Sequence, residues 1–335
     1  MLPELERVPR LKLASTPTAL QEAPRLAADM GLRRLLVKRD DNTGLAFGGN
    51  KARKLEYLVA DAVGAGADVL LTVGGPQSNH CRSTAAAARQ AGLEAQLVFN
   101  APEVEAIQGN LLLDQLLGAG WTFAAPGQSP ADRMAELAEE LKAAGRRPYP
   151  IPSGGSNGLG ALGYVRAALE LDAQLTQRGD QPTRVVCAAG SCGTLAGLTL
   201  GLALAGREAQ VVGVSVSSST PDRVARTREV MADACSLLDL ALPPAAPVIW
   251  DQYVGPGYGV ATELSTRALQ TAARAEGLIL DPVYTAKALG GLMGEVAAGR
   301  VGADDLVVFI HTGGTPALFA DSTLYWRPDE APRCL

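Results

Sequence analysis

Short apolar runs rich in β-branched residues alternate along the chain with longer segments of helical periodicity. The strand-like runs are 34–39 (RLLVKR), 68–75 (DVLLTVGG), 94–99 (EAQLVF), 184–189 (RVVCAA), 210–216 (QVVGVSV) and 305–311 (DLVVFIH), and the helix-like segments are 79–92, 129–145, 159–175 and 260–277. Such alternation is typical of parallel sheets whose faces are covered by helices. The pattern therefore predicts an α/β fold with parallel-rich sheets.

The length of the chain indicates two domains. Its 335 residues exceed the ~250 to 300 residues at which a single hydrophobic core stops growing. We predict a smaller α/β domain at 52–163, inserted into a larger, cofactor-binding domain formed by 1–51 and 164–335. The stretch PSGGSNGLG at 152–160 has the composition of a connection that returns the chain to the larger domain. A ligand is expected in the cleft between the two domains.

One segment has the length of a membrane span. Residues 185–206 carry no charge over 22 positions, which meets the requirement for a transmembrane helix. The segment also contains five glycines and begins with β-branched residues. These features favour a buried strand, a glycine turn and a buried helix in a protein that does not enter a membrane.

Charge and composition exclude several classes of protein. The formal net charge is −5 without a block of like charges, so the basic stripe of a nucleic-acid binder is missing. The five cysteines form no CxxC pair and there are only two histidines, so we predict neither a disulfide framework nor a bound metal. The N-terminal stretch MLPELERVPR lacks the apolar core of a signal peptide. We expect a cytoplasmic protein with a small-molecule partner.

Three loops rich in glycine, hydroxyl and amide groups follow strand-like runs. They are GGPQSNH after 68–73, GSCGT after 184–189 and HTGGTP after 305–310. Ligands of α/β proteins collect at the carboxyl ends of parallel strands. We therefore predict one site that is assembled from distant parts of the chain.

The loop within 187–198 (CAAGSCGTLAGL) is a candidate anion site. A strand, a glycine turn and a helix beginning near Thr194 present free backbone N–H groups and the positive end of a helix dipole, which suits a phosphate. The loop matches neither the Walker A motif nor G-x-G-x-x-G. A tight strand-to-helix turn with nothing bound is the alternative interpretation.

The loop GGPQSNH places Ser78 and Asn79 at or just before a helix. Both residue types are preferred N-caps, so each of them has a purely structural interpretation. His80 follows directly. No G-x-S-x-G motif occurs in the chain, so a serine-hydrolase triad has no support.

Lys51 stands in FGGNKARKLEYL, directly after Gly-Gly-Asn and at the start of a helical pattern. One interpretation is a solvated basic helix start, although cations there are unfavourable by ~0.3–1 kcal/mol each. The other is a reactive amine, whose pKa would be lowered by burial and by nearby positive charge. Together with a phosphate loop, such an amine predicts a phosphorylated aldehyde cofactor that is bound as a Schiff base.

Seven motifs in a fixed order extend this picture to nearly the whole chain. They are LVKRDDNTGLAFGGNKARKLEYL, GGPQSNHCRSTAAAA, GGSNGLGALGYV, AAGSCGTLAGL, YVGPGYG, LDPVYTAKALGGL and FIHTGGTPALF. With them the chain resembles the pyridoxal 5′-phosphate enzymes of the tryptophan synthase β type (fold type II). Within that type it resembles the group of D-cysteine desulfhydrases and 1-aminocyclopropane-1-carboxylate deaminases. The resemblance implies a pyridoxal 5′-phosphate cofactor, a small amino-acid substrate and a homodimer.

The resemblance also implies roles for individual positions. Lys51 would carry the cofactor, Asn79 would hydrogen-bond its ring oxygen, and Thr312 would lie by its pyridine nitrogen. The implied cofactor-binding set is Asn50, Lys51, Asn79, Ala189, Gly190, Ser191, Cys192, Gly193, Thr194, Thr285 and Thr312. The implied substrate-binding set is Ser78, Asn79, His80, Tyr258 and Tyr284, and the implied catalytic set is Lys51, Ser78, Tyr258 and Tyr284.

Two threonines separate the branches of this group. Members that open the cyclopropane ring carry a glutamate at the position of Thr285 and a leucine at the position of Thr312. A carboxylate keeps the pyridinium charged and the ring a strong electron sink, whereas a threonine hydroxyl leaves the nitrogen close to neutral. Expelling a good β leaving group needs less of that sink. The threonines therefore favour the desulfhydrase branch.

The expected reaction is α,β-elimination from D-cysteine to pyruvate, ammonia and hydrogen sulfide. Alternatives in the same class are cyclopropane deamination, L-cysteate sulfo-lyase activity and elimination from another β-substituted amino acid. A non-catalytic ligand-binding protein on the same scaffold is the alternative from a different class. Cys192, where the group commonly has glycine, and His80, which is glutamine in the cyclopropane branch, depart from the pattern.

Overall fold

The computed structural model describes residues 2–101, 104, 106–217 and 220–320. The described strands are β1 (Leu20–Glu22), β2 (Arg34–Lys38), β3 (Val69–Gly74), β4 (Glu94–Phe99), β5 (Gly120–Phe123), β6 (Pro148–Ile151), β7 (Arg184–Ala189), β8 (Gln210–Ser215), β9 (Val248–Trp250) and β10 (Leu306–Ile310). They form a six-stranded sheet of order β1-β2-β10-β7-β8-β9 and a four-stranded sheet of order β5-β4-β3-β6. Within these two sheets only β1 and β2 pair antiparallel.

Helices occupy most of the connections between strands. The described helices are α1 (Pro3–Glu6), α2 (Pro24–Met30), α3 (Lys51–Gly64), α4 (Asn79–Gln90), α5 (Gly109–Leu116), α6 (Pro130–Ala143), α7 (Gly158–Arg178), α8 (Gly193–Leu204), α9 (Thr220–Leu237), α10 (Glu263–Glu276) and α11 (Thr285–Ala297). The predicted α/β class with parallel-rich sheets is confirmed. Each of the six predicted strands and four predicted helices is present, with ends that differ by at most three residues.

The inner strands of the six-stranded sheet are buried on both faces, which explains why β2, β7, β8 and β10 are largely apolar runs. In β7, Val186 and Ala188 pack with residues of α2, α10 and α11 on one face. The intervening Val185 and Cys187 pack with residues of α7 and α8 on the other face. Alternate side chains of one strand therefore contribute to two different cores.

Four strands escaped prediction because they are only three or four residues long. Such runs are too short for an alternating pattern to stand out from a loop. In β6, Pro148 and Pro150 also argue against a strand, since proline cannot donate a ladder hydrogen bond. The order of the smaller sheet places β6 at its edge, where a missing donor is tolerated.

The uncharged segment at 185–206 forms most of strand β7, a tight turn and helix α8. In α8 every residue from Gly193 to Leu202 is buried, which accounts for the absence of charge. Across the part of the chain that the structure describes, no helix is long and apolar enough to cross a membrane. The apolar character of this segment reflects burial inside the protein.

The smaller sheet is built from strands between 69 and 151, all inside the predicted insertion at 52–163. Helix α3 begins at the first predicted boundary, whereas α7 continues through the second. The larger predicted unit includes 321–335, which lie outside the described residues. The division into two domains stays a prediction.

A buried network of charges joins α3 to the larger sheet. Arg53 makes ion pairs with Asp40 (2.8 Å) and Glu170 (2.9 Å), and its side chain is 2% exposed. The hydroxyl of Tyr164 donates to Asp40 at 2.6 Å, and Lys38 pairs with Glu170. Burial by itself would raise the pKa of Asp40, but the charge of Arg53 holds it below its usual range. The network fixes the helix turn that follows Lys51.

We expect Arg53→Met to lower the free energy of unfolding by about 3–5 kcal/mol, because it leaves Asp40 and Glu170 buried without their main partner. Urea denaturation followed by circular dichroism measures this change. The matched control is Lys142→Met, which removes an exposed ion pair with Glu139 and should change the value by less than ~1 kcal/mol. Equal effects of the two substitutions would contradict the importance of the network.

Candidate active site

A cavity of about 290 Å³ is lined by residues at or just beyond the ends of β3, β7 and β10. Of the residues predicted from the sequence, the structure brings to this lining Asn50, Lys51, Ser78, Asn79, His80, Gly190, Ser191, Cys192, Thr194, Tyr258, Tyr284 and Thr312. Three others, Ala189, Gly193 and Thr285, are buried beside it and do not line it. The cavity therefore combines groups from both sheets.

Lys51 is the first residue of α3, and a glycine turn brings it to the cavity. Gly48 and Gly49 have φ of 68° and 110°, a region that favours glycine. A Cβ on Gly48 would lie 1.9 Å from the carbonyl oxygen of Asp41, and one on Gly49 would lie 3.1 Å from that of Thr312. The turn before Lys51 thus depends on the absence of side chains at these two positions.

The amine of Lys51 has a pKa well below that of an exposed lysine. Burial and the nearby positive charge of Arg82, opposed by Asp281, together lower this pKa to about 8. Its Nζ donates to Asn50 Oδ1 at 3.2 Å, and Asn50 Nδ2 in turn donates to Thr194 Oγ1 at 2.9 Å. About a tenth of this amine is therefore unprotonated and nucleophilic at pH 7, far more than for an exposed lysine.

The predicted anion loop connects β7 to α8. Cys192 caps the helix with φ of 69°, in the left-handed region where glycine is common. The first N–H groups of α8 have no partners within the helix, and that of Gly193 donates to Ser156 Oγ at 3.2 Å. A Cβ on Gly193 would lie 2.6 Å from that same oxygen. The loop is therefore packed tightly against the turn at 153–156.

A buried lysine lies behind this loop. The side chain of Lys54 is 1% exposed, and its Nζ donates to Gly154 O (3.1 Å) and Ser156 Oγ (3.0 Å), which are both uncharged acceptors. Burial, with a further contribution from Lys51, lowers the pKa of Lys54 well below its ordinary value. An anion in the loop would supply the negative charge that these contacts do not provide.

The residues at the start of α4 both cap the helix and line the cavity. Ser78 is the N-cap, and its Oγ accepts from the backbone N–H of Cys81 at 3.2 Å. Accepting this bond leaves the hydroxyl hydrogen available for a ligand. Because Ser78 and Asn79 also line the cavity, the helix presents its positive end there.

The side chain of His80 has one definite tautomer. Thr72 Oγ1 donates to the carbonyl oxygen of Ile151 (2.9 Å) and lies 2.8 Å from His80 Nε2, so Nε2 must carry the hydrogen. Burial, together with the charges of Lys51 and Lys54, lowers the pKa of His80 well below its ordinary value. The imidazole is therefore neutral, and it has no second N–H to offer a carboxylate.

Two tyrosines approach the cavity from the opposite side. The hydroxyl groups of Tyr258 and Tyr284 are 2.7 Å apart, and their rings meet edge to face. Burial and the neighbouring Tyr258 raise the pKa of Tyr284 well above its ordinary value, so this phenol stays protonated. The pair offers a hydrogen-bonded O–H donor to a ligand.

The side chain of Thr285 has a structural role at the start of α11. Its Oγ1 donates to Asp281 Oδ1 at 2.7 Å, and Asp281 also accepts from the backbone N–H groups of 283 to 285. Thr312 lines the cavity. Within the described ranges, no aspartate or glutamate lines this cavity.

Sequence reasoning missed several polar groups around the cavity. Arg223 and Ser217 line it, and Arg223 donates to Ser217 Oγ at 2.7 Å and to the carbonyl oxygen of Gly190. Asn100, at the end of β4, is a further lining residue. The sequence could have indicated Asn100 as a site residue, since it directly follows a predicted strand. Arg223 lies within a helix, and nothing in the sequence around it indicates a place in the site.

The model of the family described as pyridoxal-phosphate dependent enzymes matches residues 11–313. The chain belongs to this family. The fold is therefore that of the pyridoxal-phosphate enzymes of fold type II, as the sequence motifs implied.

The relatives of this pyridoxal-phosphate dependent enzyme include two D-cysteine desulfhydrases. That of Klebsiella pneumoniae (strain 342) is 44% identical over 324 residues, covering 95% of this chain and 98% of the relative. That of Serratia proteamaculans (strain 568) is 43% identical over 323 residues, covering 95% and 97%. A crystal structure described as an ACC deaminase homologue has a TM-score of 0.89 at 38% identity, covering 97% of this chain and 99% of that one.

The residues of the cavity fit the cofactor of this family. The N-terminus of α8 and the buried Lys54, whose acceptors are uncharged, together suit a phosphate group. The lowered pKa of Lys51 suits an amine that must react with an aldehyde. Both sets of groups belong to one cavity or lie directly behind it, so this pyridoxal-phosphate dependent enzyme has what it needs to hold its cofactor.

If the cofactor attaches at Lys51, as the resemblance implies, the rate of covalent attachment should rise with pH, reach half of its maximum near pH 8 and level off above it, because only the neutral amine reacts. The measurement mixes the cofactor-free chain with pyridoxal phosphate and follows the visible absorbance at a series of pH values. Nα-acetyl-lysine is the control amine, and its rate should keep rising toward pH ~10.4. A protein profile that follows the control up to pH 10 would contradict the lowered pKa.

Proposed function

We propose that this pyridoxal-phosphate dependent enzyme catalyses α,β-elimination of D-cysteine, which converts D-cysteine and water to pyruvate, ammonia and hydrogen sulfide. The observation that carries this proposal is a reactive lysine in a cavity whose described lining contains no carboxylate. The two D-cysteine desulfhydrases that align with nearly the whole chain support the same choice.

Lys51 is proposed as the covalent anchor of the cofactor, with the amides of Gly190 to Thr194 holding the phosphate. Asn50, Asn79 and Thr312 complete the proposed cofactor site along the lining of the cavity. Ala189 and Thr285 act from behind the lining, by shaping the loop and the start of α11. Bound pyridoxal phosphate supplies the electron sink that stabilises the charge left at the α carbon when its proton is removed.

Lys51 is also the proposed base for the α proton. A positioned general base contributes about 10²- to 10⁴-fold in rate and works best when its pKa is near the operating pH. A pKa of about 8 meets that condition, whereas an exposed lysine would remain protonated. The same burial that makes the amine a nucleophile therefore makes it a base.

The substrate carboxylate is proposed to bind at the start of α4. The hydroxyl of Ser78 and the backbone N–H groups of Asn79 and His80 lie at the positive end of a twelve-residue helix. Since the imidazole of His80 has no free N–H, residue 80 contributes through its backbone. The proposed role of residue 80 in carboxylate binding therefore does not depend on its imidazole.

The tyrosines are proposed to face the thiol of the substrate. Tyr284 stays protonated and is hydrogen-bonded to Tyr258, so the pair can donate to the departing sulfur. Hydrosulfide is a good leaving group and needs only a moderate electron sink. Threonines at 285 and 312, where the cyclopropane branch carries glutamate and leucine, are consistent with that demand.

The assembly and location of the enzyme are part of the same proposal. We propose a cytoplasmic homodimer, and light scattering on the purified protein measures its mass. We also propose that the unit at 52–163 moves relative to the rest around the turn at 152–160, which closes the cavity on substrate. A substrate-bound structure with an unchanged angle between the two sheets would contradict the closure.

We expect Lys51→Ala to lower sulfide release from D-cysteine by at least about 10²-fold, because both the anchor and the base are lost. The same variant should lose the visible band that borohydride abolishes in the wild-type protein. Lys142→Ala, an exposed lysine on α6, is the control and should retain both signals. Full sulfide release by Lys51→Ala would make the central assignment wrong, and a colourless wild-type protein would favour the binding-protein alternative.

We expect pyruvate and sulfide from D-cysteine, and no 2-oxobutyrate from 1-aminocyclopropane-1-carboxylate, since the described cavity offers no carboxylate to charge the pyridine nitrogen. The assay compares D- and L-cysteine, 3-chloro-D-alanine, D-serine, L-cysteate and the cyclopropane amino acid. Sulfite released from L-cysteate in preference to sulfide from D-cysteine would replace D-cysteine as the proposed substrate. Formation of 2-oxobutyrate would overturn the argument from Thr285 and Thr312.

A further inference from the structure

Arg82 joins three parts of the active site through one buried guanidinium. It lies one helical turn after Asn79 on α4, and its side chain is 0% exposed. Its Nη1 donates to Asn110 Oδ1 at 2.8 Å and to Asn79 Oδ1 at 3.2 Å, and its Nη2 donates to the carbonyl oxygen of Gly48 at 2.9 Å. The group therefore ties α4 to α5 and to the glycine turn before Lys51.

These contacts determine which end of the Asn79 amide is free. Asn79 Oδ1 accepts from Arg82 and also from Asn110 Nδ2 at 3.0 Å, and the latter nitrogen is itself fixed by the carbonyl oxygen of Gln77. The Nδ2 of Asn79 is thus left as the donating end. A Cβ on Gly314 would lie 2.8 Å from this Nδ2, which places it beside the loop that follows β10.

The carboxyl groups near Arg82 are those of Asp114 and Asp281, and among the described residues neither makes a hydrogen-bonded ion pair with it. Both carboxylate oxygens of Asp114 on α5 are buried and have no hydrogen-bond partner, and the same holds for Arg82 Nε. Burial raises the pKa of Asp114 to about 8, and Arg82 reverses only part of that increase. Asp114 is therefore largely uncharged at neutral pH, when Arg82 itself is still charged.

Lys51 is within the electrostatic reach of this charge. Arg82 is the nearby group that lowers its pKa beyond the effect of burial, and Asp281 is the group that raises it. The other titratable groups coupled to Lys51 are Lys54 on the same helix and His80 on α4, whose own pKa values are both lowered. Arg82 is thus the cation beside Lys51 whose charge persists.

We propose that Arg82 is a positioning residue of the active site, which turns the amide nitrogen of Asn79 toward the cofactor ring and places a permanent positive charge beside Lys51. The guanidinium suits both tasks, since its planar fork reaches separate acceptors at once while it remains protonated. This inference rests on the proposed roles of Lys51 and Asn79 and is independent of which amino acid is the substrate.

The test compares two substitutions at position 82, which separate the effect of the planar set of N–H donors from the effect of the positive charge. Arg82→Gln removes the charge, and Arg82→Lys retains the charge and loses the fork. The control is Arg89→Gln on the same helix, where an exposed arginine bonds only the carbonyl oxygens of Leu117 and Gly118. Each full-length variant is freed of cofactor and titrated with pyridoxal phosphate without any substrate.

Two quantities are measured for each variant. The first is the dissociation constant for pyridoxal phosphate, obtained from the visible absorbance. The second is the pH midpoint of covalent attachment, obtained by borohydride trapping and mass spectrometry of the peptide that contains Lys51. The midpoint reports the state of the amine, so a change in overall stability does not by itself move it.

For Arg82→Gln we expect cofactor affinity to fall about tenfold, which corresponds to the loss of a charge-assisted contact, and the midpoint to rise by about half a pH unit or more. For Arg82→Lys we expect a similar loss of affinity with a midpoint within about 0.2 units of wild type, since the charge is retained. Arg89→Gln should match the wild type in both quantities.

An unchanged midpoint in Arg82→Gln would overturn the proposal, as would wild-type affinity in Arg82→Lys. Loss of the folded state in both variants, measured by circular dichroism, would assign Arg82 to stability and overturn it as well. Failure of the wild-type protein to cleave D-cysteine would contradict the proposed function alone, because neither measured quantity involves that substrate.

Discussion

The protein must hold the amine of Lys51 away from bulk water in a cavity that is lined largely by polar groups. A lysine at the first turn of a helix normally reaches solvent, and there its pKa would stay near 10.4. Here the amine lies in a cavity, beside a cation, and its pKa falls to about 8. Burial of this one group is the constraint on which the surrounding structure depends.

Packing contacts hold the backbone before Lys51, and ion pairs hold the helix after it. The turn through Gly48 and Gly49 packs against the carbonyl oxygens of Asp41 and Thr312 so closely that side chains would not fit. On the other side of Lys51, Arg53 forms ion pairs with Asp40, in the turn that follows β2, and with Glu170 on α7. The start of α3 is therefore held by the turns that follow β2 and β10 and by α7.

The anion loop is supported by the same part of the chain. The turn at 153–156, which follows the last strand of the smaller sheet, contacts both the amide of Gly193 and the amine of Lys54 through Ser156. Helix α3 thus contributes Lys51 to the front of the site and Lys54 to its back. Since Lys51 and Lys54 lie on one helix, the separation of these two amines is set by a rigid element.

The sequence determined the α/β class, the strands of the two sheet interiors, the glycine-flanked lysine and the loops at three strand ends. These features have strong local signals, because strand alternation, glycine turns and helix starts depend on residues close together in the chain. Short edge strands such as β6 carry no such signal. Only the tertiary structure decided that Lys54 and Arg82 are buried, since a charged residue in a helical sequence looks the same whether it faces solvent or a core. It also decided that Thr285 bonds Asp281 and that His80 lacks a free N–H, because both depend on which groups the fold brings within hydrogen-bonding distance.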